Sequence, residues 1–473
     1  MSADDEEYTE NEDAPTQEGN SPLEEQLHAC SCIIIPSLVA GMIKVREGDR
    51  NNEYKSAFGE VFSKAGPTMA DLIGIFSSAI LINNVGRKKS LVLTNLIFLV
   101  SVVIFITDPS VKVDFAGLVI YYVGRRFLFV SADVFVAEMA EPRYRALIIG
   151  IHFFGYDCGH GVVAAVLPER SRFPLVVALL IIIPSLVLSL LATETPYWLA
   201  LQGEPDRAEQ IYRSLRGSNA DEAEFEEMLA AAEVDADRKM LGVGPNVFTW
   251  EFFAPWMLVI FMMLGVFNTC FLNDELTNVL VAEGRYRFLR DEPFYTDRAL
   301  ERIIHHTCVA LGEAMFCVLV IKVRRRLLYL LTVALHITML ATTYMADRAE
   351  SSSSSSFFYL NTLCPLFTEV GGHTVTRMLP VEIFPAVVRE FGAASQALTD
   401  QVLLFLKWLA LKGGRTAWYY KFITQTFWGC LPLGILLTCF FMPETKDLPL
   451  TQTEKGTYEL KELLQATEDI AEE

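Results

Sequence analysis

The sequence predicts an all-α membrane protein in which twelve transmembrane helices form two pseudo-symmetric bundles of six. Three observations support this prediction. The chain has 473 residues, of which 52% are hydrophobic and 32 are Phe, and its mean hydropathy is +0.32; a soluble protein of this length usually interrupts its apolar content with regular polar faces. Many apolar runs are long enough to cross a bilayer. A short charged motif occurs once in each half of the chain.

The repeated motif begins with a glutamate at the end of an apolar run and ends with an arginine seven residues later. Its first copy runs from Glu138 to Arg145, and its second runs from Glu382 to Arg389. The two glutamates and the two arginines are each separated by 244 residues. Other polar segments repeat at a similar offset, which indicates that the chain consists of two related halves, an internal repeat. These segments are 86–89 with 324–326, and 194–196 with 443–445.

The apolar runs are predicted to be helices and not strands. A spanning helix needs about 20 mostly apolar residues, and irregular or extended backbone cannot face lipid without leaving peptide groups unsatisfied. The predicted spans are residues 28–44, 66–85, 90–107, 115–139, 145–167, 173–193, 253–273, 299–321, 327–346, 357–380, 388–411 and 418–442.

These spans divide the chain into five segments. Between the sixth and seventh spans, Pro205 is followed at helical spacing by Ala208, Ile211, Tyr212 and Leu215, which predicts a short amphipathic helix in a polar central loop. Residues 351–356 are all Ser and are predicted to form a connector. The five segments are an acidic disordered tail (1–27), a first bundle (28–193), the central loop (194–252), a second bundle (253–442) and a C-terminal tail (443–473).

The acidic charge and the cysteines exclude several function classes. The formal net charge of −19 is concentrated in the two tails and the central loop, which argues against a nucleic-acid partner. The apolar runs make the lipid bilayer the predicted partner of the remaining chain. The nine cysteines have no paired metal spacing, so we predict no metal site and no cofactor. They are expected to be buried and apolar in character.

Basic residues predict the orientation in the membrane. An even number of spans places both termini on one side, and loops rich in Lys and Arg are usually cytosolic. The loops after the second, fourth, eighth and tenth spans carry such residues, which predicts cytosolic termini in a multi-pass protein of the plasma membrane or an endosomal or vesicular membrane. Some basic residues, such as Arg46 and Arg285, lie in predicted outer loops, so the orientation also rests on the repeat.

Five polar motifs occur in a fixed order after the even-numbered spans. They are Gly86-Arg87-Lys88, Glu138 with Pro142 and Arg145, Glu194-Thr-Pro-x-Trp-Leu, Glu382-x-x-Pro-x-x-x-Arg389, and Pro443-Glu444-Thr-Lys. From about Leu27 to Leu450 the chain thus resembles the major facilitator superfamily, and within it the branch of sugar porters, organic-cation transporters and synaptic-vesicle-glycoprotein-like proteins. The resemblance implies two six-helix bundles that rock about a central cavity and expose it to each side in turn.

The motif residues are predicted to form a cytosolic gate. A glutamate at the end of one helix and an arginine at the start of the next can form charge-assisted hydrogen bonds between bundles, which break when that face opens. The alternative is that these charges only mark helix ends. The predicted gate residues are Gly86, Arg87, Lys88, Glu138, Arg145, Glu194, Arg325, Glu382, Arg389 and Glu444.

The chain departs from the family pattern at several positions. Asn83 stands where the family's loop after span two has an acid, and the loop after span eight keeps only the basic residues that begin at Arg324. Asn83 cannot hold Arg87 by charge. Phe153 stands where sugar porters have a sugar-binding glutamine, and the polar signature of span seven is missing. These departures make a hexose a less favoured substrate.

Ionisable residues inside spans are candidate site residues, because each costs at least about 2.5–3.5 kcal/mol at the bilayer centre. Glu369, His373 and Arg377 are spaced by four on span ten, which predicts a proton-sensitive stripe on one helix face; the alternative is a local salt bridge that helps packing. Asp400 lies close to the position of an acid that the organic-cation branch uses for its substrates. The remaining candidates for the substrate or proton pathway are Asp71, Asp157 and Glu313.

These observations predict a transporter and not an enzyme, since no nucleotide loop, metal cluster or pore repeat is present in the sequence. The leading hypothesis is secondary active or facilitative transport of a small organic solute, an organic cation or zwitterion, with protons as a candidate coupling ion. One alternative is a transporter-like vesicle or receptor protein that does not transport, and another is a sugar transporter. Glu459, Leu463 and Leu464 have the spacing of a dileucine signal for a sorting adaptor; an ordinary amphipathic turn is the alternative.

Overall fold

The computed structural model describes residues 22–107, 110–166, 173–217, 220–240, 253–264, 298–349, 363–413, 435–436 and 438–450. Within these ranges the secondary structure consists of helices and the turns that connect them. The prediction of an all-α protein is confirmed. The end of span seven, most of span twelve, the serine connector and the proposed sorting signal at Glu459, Leu463 and Leu464 lie outside the described residues.

The N-terminal half contains a short leading helix and six long helices. In the described ranges four helices are long and apolar enough to cross a membrane, or five if one bent pair counts as a single span. These helices coincide with predicted spans. The helices are α1 (Pro22–Ala29), α2 (Ser31–Phe58), α3 (Glu60–Val85), α4 (Arg87–Ile106), α5 (Val111–Met139), α6 (Pro142–Val166) and α7 (Phe173–Leu191).

The loop predicted between the first two spans is helical instead. α2 continues to Phe58, well beyond the predicted end at residue 44, and α3 begins at Glu60, so only Gly59 separates them. Gly59 has a φ of 79°, which lies in the left-handed region that favours glycine. The Arg, Glu and Lys residues of this stretch are good helix formers, so loss of apolar character ends the span without ending the helix.

The central loop folds into three helices that pack on one another. They are α8 (Pro196–Leu201), α9 (Pro205–Arg216) and α10 (Glu222–Met240). The predicted amphipathic helix is confirmed as α9, which buries Ala208, Tyr212 and Leu215. Pro occupies the first turn of α8 and of α9, where its missing N–H is not needed.

The described part of the C-terminal half contains helices that follow the predicted spans less closely. They are α11 (Phe253–Leu264), α12 (Arg298–Leu319), α13 (Arg325–Ala349), α14 (Cys364–Phe367), α15 (His373–Ile383) and α16 (Arg389–Gly413). A π-helical turn, Thr368–Gly372, interrupts predicted span ten between α14 and α15. A Cβ atom at Gly371 would lie 2.6 Å from the carbonyl oxygen of Leu328, so this turn brings its backbone directly against α13.

Two helix pairs join the halves along their length. α6 lies against α12, and α3 lies against α16. The links between consecutive long helices alternate between the two ends of this bundle, and Gly86, Ala140 and the three loop helices lie at the same end. We refer to it as the central-loop end.

Candidate functional site

The first charged cluster of the central-loop end, the Arg87 cluster, consists of Arg87, Glu138, Glu194 and Thr195. Arg87 begins α4 and donates through Nε and Nη2 to the Glu138 carboxylate, at 3.0 and 2.7 Å. The Thr195 hydroxyl donates to Oε2 of Glu138 at 2.5 Å. Glu138 therefore holds the start of α4 and the start of α8 against the end of α5.

Glu194 completes the Arg87 cluster by binding backbone and not a side chain. Its Oε1 accepts from the backbone N–H groups of Arg87 and Lys88, both at 2.9 Å, so a carboxylate caps the N-terminus of α4 where the helix dipole favours negative charge. Burial raises the pKa of Glu194, while these two N–H groups lower it.

Gly86 permits this capping contact. Its φ of 106° lies in the left-handed region that favours glycine, and an added Cβ would lie 2.9 Å from Oε2 of Glu194 and 3.0 Å from Nε1 of Trp198. A side chain at position 86 is therefore excluded by both the backbone angle and the space.

The second cluster, the Arg325 cluster, repeats this arrangement in the C-terminal half with Arg325, Glu382, Glu444 and Thr445. Arg325 Nη1 donates to Oε2 of Glu382 at 3.0 Å, and the Thr445 hydroxyl donates to the same oxygen at 2.7 Å. Oε1 of Glu444 accepts from the backbone N–H of Arg325 at 3.2 Å. The sequence repeat is thus also a repeat of contacts.

Three ion pairs cross between the halves at this end. Arg145 Nη1 lies 3.6 Å from Oε1 of Glu382, and Arg389 Nη1 lies 3.9 Å from Oε1 of Glu138; these two pairs are related by the repeat. The third pair is shorter, because Arg87 Nη2 lies 2.6 Å from Oε1 of Glu390. Arg87, Arg145 and Arg389 therefore each reach a glutamate of the opposite half.

These charges are almost completely withdrawn from solvent. The side chains of Arg87, Arg145, Arg325 and Arg389 are 1–2% exposed. Buried ion pairs cost desolvation that their attraction only partly returns, and loss of one partner leaves an uncompensated buried charge. The ion pairs between the halves are therefore sensitive to any movement that separates the halves.

Eight of the ten predicted gate residues belong to these two clusters or to the pairs between them. The other two, Gly86 and Lys88, lie beside Glu194 at the start of α4, and the role of all ten as a gate stays a prediction. The sequence analysis missed Glu390, Thr195 and Thr445. The two threonines were open to prediction, because each follows its glutamate in both repeats. Glu390 carried no such signal, since Ala146 occupies the corresponding place in the first half. The sequence argument also left Arg87 without a charged partner at Asn83, whereas Glu138 and Glu390 pair with it.

The middle of the bundle contains a second group of charges, carried by α3, α5 and α16. Arg125 Nη2 lies 2.7 Å from Oδ2 of Asp71, and Arg126 lies 3.3 Å from Asp71 and 3.1 Å from Asp400. Asp71 and Asp400 were predicted as pathway acids, and the structure shows both in ion pairs with arginines. Arg126 also joins the halves, because Asp400 belongs to α16.

The predicted stripe on span ten lies beside α6 and α12. His373 Nδ1 lies 3.0 Å from Oε1 of Glu369, which places the two residues on one face despite the π turn between them. Arg377 interacts electrostatically with Glu369, Asp157 and Glu313. Glu313 is fully buried and faces the carboxylates of Asp157 and Glu369.

Phe153 lies in the same region, at the position where sugar porters have glutamine. The Arg377 guanidinium carbon lies 4.6 Å from the centre of the Phe153 ring, and Phe153 is 1% exposed. A cation thus stacks on an aromatic face. Among the described residues no group of three or more His, Cys, Asp or Glu side chains has a geometry that could hold a metal ion.

Comparisons with known proteins identify the architecture. The structure of the proton:xylose symporter XylE bound to 6-bromo-6-deoxy-D-glucose superposes with a TM-score of 0.68 at 18% identity, over 91% of this chain and 99% of XylE. The inward-open structure of XylE from E. coli gives a TM-score of 0.54 at 17% identity, over 92% and 98% of the two chains. Both show that this chain has the major facilitator fold.

Curated sequences match over similar lengths. The facilitated trehalose transporter Tret1 of Bombyx mori is 24% identical over 398 residues, which is 82% of this chain and 76% of Tret1. The Arabidopsis thaliana protein named Probable polyol transporter 3 is 25% identical over 419 residues, 81% of this chain and 80% of that protein.

A family model settles the branch of the superfamily. The model described as Sugar (and other) transporter matches residues 65–456, which includes both charged clusters and the loop helices. The predicted superfamily is confirmed, and the sugar-transporter branch is favoured over the organic-cation branch. The protein is an integral, multi-pass membrane transporter of small solutes and not an enzyme. By this match and its fold, the chain belongs to the sugar (and other) transporter family.

Proposed function

We propose that this protein moves a small polyhydroxylated solute, a sugar or a polyol, across a membrane by alternating access, with the central-loop end as its cytosolic gate. The observation that carries the proposal is the set of three ion pairs between the halves: Arg145 with Glu382, Arg389 with Glu138, and Arg87 with Glu390. In the geometry described, all three are formed and the gate is closed.

The gate opens when the halves rock apart at the central-loop end. The contacts within each cluster, such as Arg87 with Glu138 and Arg325 with Glu382, stay inside one half and move with it. The pairs between halves break, and water replaces the lost partners. The buried arginines and glutamates become hydrated in the open state, which offsets the lost ion pairs and keeps the two states close in free energy.

The cytosolic assignment of this end is supported by its basic residues. Lys88, Arg143 and Arg145 lie on or beside the short links there, as does the basic run that begins at Arg324. Short loops rich in Lys and Arg are retained on the cytosolic side. With the predicted even number of spans, both termini lie on that side.

The names of the relatives support a sugar or polyol, because two curated matches are named for trehalose and for a polyol, and the structural neighbour XylE is named for xylose. The carboxylates of the middle region, Asp157, Glu313 and Glu369, would bind hydroxyl groups by accepting hydrogen bonds from them. At the glutamine position Phe153 provides no amide, and its buried ring is covered by the Arg377 guanidinium.

A cationic or zwitterionic solute is the second candidate. Asp157, Glu313 and Glu369 supply three carboxylates near one arginine, Arg377, and one histidine, His373. This excess of acid favours a positive group in the cavity. The same residues make protons a candidate coupling ion, because His373 contacts the Glu369 carboxylate at 3.0 Å and both groups can carry a proton.

An uptake experiment separates these candidates. Purified protein in proteoliposomes would be tested with labelled monosaccharides, disaccharides, polyols and organic cations, at two pH values. Saturable uptake of a sugar or polyol supports the main proposal, and saturable uptake of cations alone supports the second. A broad panel without uptake would favour a protein that no longer transports.

Gate variants connect that uptake to the proposed mechanism. We expect Arg145→Ala and Arg389→Ala each to lower the uptake rate by at least about tenfold, the effect of about 1.4 kcal/mol on one step. Arg143→Ala is the matched control, because Arg143 is exposed in the same helical turn as Arg145. Equal uptake by all three variants would contradict the gate.

Proton coupling has its own test. If His373 carries a proton during transport, His373→Ala removes the pH dependence of uptake but retains binding of the solute. Unchanged pH dependence would exclude His373 from the proton pathway.

A further inference from the structure

A small cavity lies where the two halves and the loop helices meet. It has a volume of about 50 Å³ and is separate from the middle of the bundle. Its lining residues come from three parts of the chain. Arg145 belongs to α6 of the first half, Tyr212 and Arg216 belong to α9, and Ala386 and Arg389 belong to the second half. Neither half forms this cavity alone.

Three arginines dominate the charge of this cavity. Arg145, Arg216 and Arg389 all line it and are at most 4% exposed. Two glutamates also line it, but both are engaged. Glu138 accepts from Arg87 and Thr195, and Glu224 accepts from the Tyr212 hydroxyl at 3.1 Å and lies 3.8 Å from Arg216. The lining therefore has one more positive charge than negative.

Several guanidinium donors at the cavity are buried without a hydrogen-bond partner. Arg145 lacks one at Nε and Nη1, and Arg216 lacks one at Nε, within the described part of the chain. The recorded ion pair of Arg145, with Glu382 at 3.6 Å, is too long for a hydrogen bond. Arg216 uses its Nη atoms for the carbonyl oxygens of Met139 and Ala140, so its Nε remains available.

Buried guanidinium N–H groups without a hydrogen-bond partner indicate that an anionic acceptor can bind between them. Like charges also crowd here, because Arg145 interacts unfavourably with Arg216 and Arg389. An anion with several oxygens would satisfy the donors and relieve the repulsion together. Guanidinium groups match phosphoryl oxygens in geometry, since each can donate two parallel hydrogen bonds.

The volume sets the size of that anion. One water molecule needs roughly 10–15 Å³ of cavity volume. A cavity of about 50 Å³ therefore has room for about four oxygen-sized groups, and a phosphate ion has four oxygen atoms. We propose that this junction is a binding site for a phosphoryl oxyanion, with Arg145, Arg216 and Arg389 as its ligands. The anion is free phosphate or the phosphate monoester group of a lipid headgroup or small metabolite.

Such an anion would act as a regulator of the gate. It would contact the first half through Arg145, the second through Arg389, and the central loop through Arg216. Because these three groups separate when the central-loop end opens, the anion binds the closed state better and shifts the equilibrium towards it. The site goes beyond the proposed function, and its binding test needs no transport.

The test is thermal unfolding of the full chain in neutral detergent, with sodium phosphate compared with sodium chloride at equal ionic strength. We expect phosphate to raise Tm by several degrees. Arg216→Gln should lose this shift, whereas Arg213→Gln should keep it, because Arg213 lies on the same helix at 59% exposure. Arg216→Lys retains the positive charge but lacks the paired N–H donors of a guanidinium group. It serves as a second variant and should show a reduced shift.

Lipid discs distinguish the sources of the phosphoryl group. Stabilisation by phosphate in discs of phosphatidylcholine supports a soluble anion, and stabilisation only in discs that contain phosphatidylinositol 4-phosphate supports a lipid headgroup. No stabilisation in either arm overturns the proposal, as does a shift of wild-type size in Arg216→Gln and Arg216→Lys. Uptake measured in the same variants reports on transport separately, so failure here leaves the transport proposal intact.

Discussion

The Arg87 cluster and the Arg325 cluster each contain one arginine, two glutamates and one threonine in matching contacts, but they differ in how they reach the opposite half. Arg87 pairs with Glu138 in its own half and with Glu390 in the other. Within the described residues, the ion pair of Arg325 is with Glu382 of its own half. The difference comes from one position, where Glu390 corresponds to Ala146.

This difference makes the two repeated halves unequal at the central-loop end. The repeat supplies matched clusters and two matched pairs between the halves, Arg145 with Glu382 and Arg389 with Glu138. One added carboxylate then ties the first cluster directly to the second half at 2.6 Å. Closure of the central-loop end should therefore depend more on the first cluster than on the second.

The largest expected effect comes from removal of the two cluster arginines. Arg87→Gln leaves Glu138 and Glu390 without their closest cation and should lower the free energy of unfolding by about 3–5 kcal/mol. Arg325→Gln should cost less, because it leaves one glutamate, Glu382, which keeps Arg145. Denaturation of both purified variants by sodium dodecyl sulfate measures the difference, and equal losses would show that the clusters are equivalent.

Glu390→Ala should make the two clusters alike. It removes a charge-assisted hydrogen bond between the halves, so we expect the free energy of local opening at the central-loop end to fall by about 1.5–3 kcal/mol. Hydrogen–deuterium exchange of residues 138–146 would report this as faster exchange. Glu226→Ala, an exposed change on α10, should leave that exchange unaltered; unchanged exchange in Glu390→Ala would show that the added carboxylate has no role in closure.

The two threonines test the part of the comparison that should be symmetric. Thr195→Val and Thr445→Val each remove a hydroxyl that donates to the cluster glutamate. We expect both to lower the free energy of unfolding by about 0.5–1.5 kcal/mol. Thr338→Val, which removes an exposed hydroxyl that donates to the carbonyl oxygen of Ala334 in its own helix, is the control. A much larger loss in one cluster would mean that the clusters differ beyond Glu390.

The smallest expected effect is a change in pH dependence at Glu194. Burial raises the pKa of this carboxyl above its ordinary value of 4.5, so the folded protein binds the proton more tightly than the unfolded chain does. Its contribution to stability is then complete below pH 4.5 and is lost as the pH rises through the raised pKa. Thermal unfolding across that range should show a steeper decline for the natural protein than for Glu194→Gln, and parallel profiles would contradict the shift.

Much of the fold followed from local physical rules. Apolar runs of spanning length must be helical in lipid, so the predicted spans agree with the described helices where the apolar character is strong, as in α4 and α7. The prediction was wrong where polar residues follow an apolar run, because hydropathy locates the membrane and not the helix end; α2 therefore continues to Phe58. The π turn at Thr368–Gly372 also lacks a signal in periodicity.

The candidate site divides along the same line. Repetition in the chain was enough to single out the glutamates and arginines of both clusters and to predict the superfamily, since equal spacing in two halves reflects equal positions in a two-fold fold. Glu390 occurs once, and its importance appears only when α16 is packed beside the start of α4. The same holds for the ion pairs of Asp71 and Asp400 and for the cavity of Arg145, Arg216 and Arg389. Spacing along a helix limits which side chains share a face, but distance between helices decides which charges meet, and that distance arises only when the halves pack together.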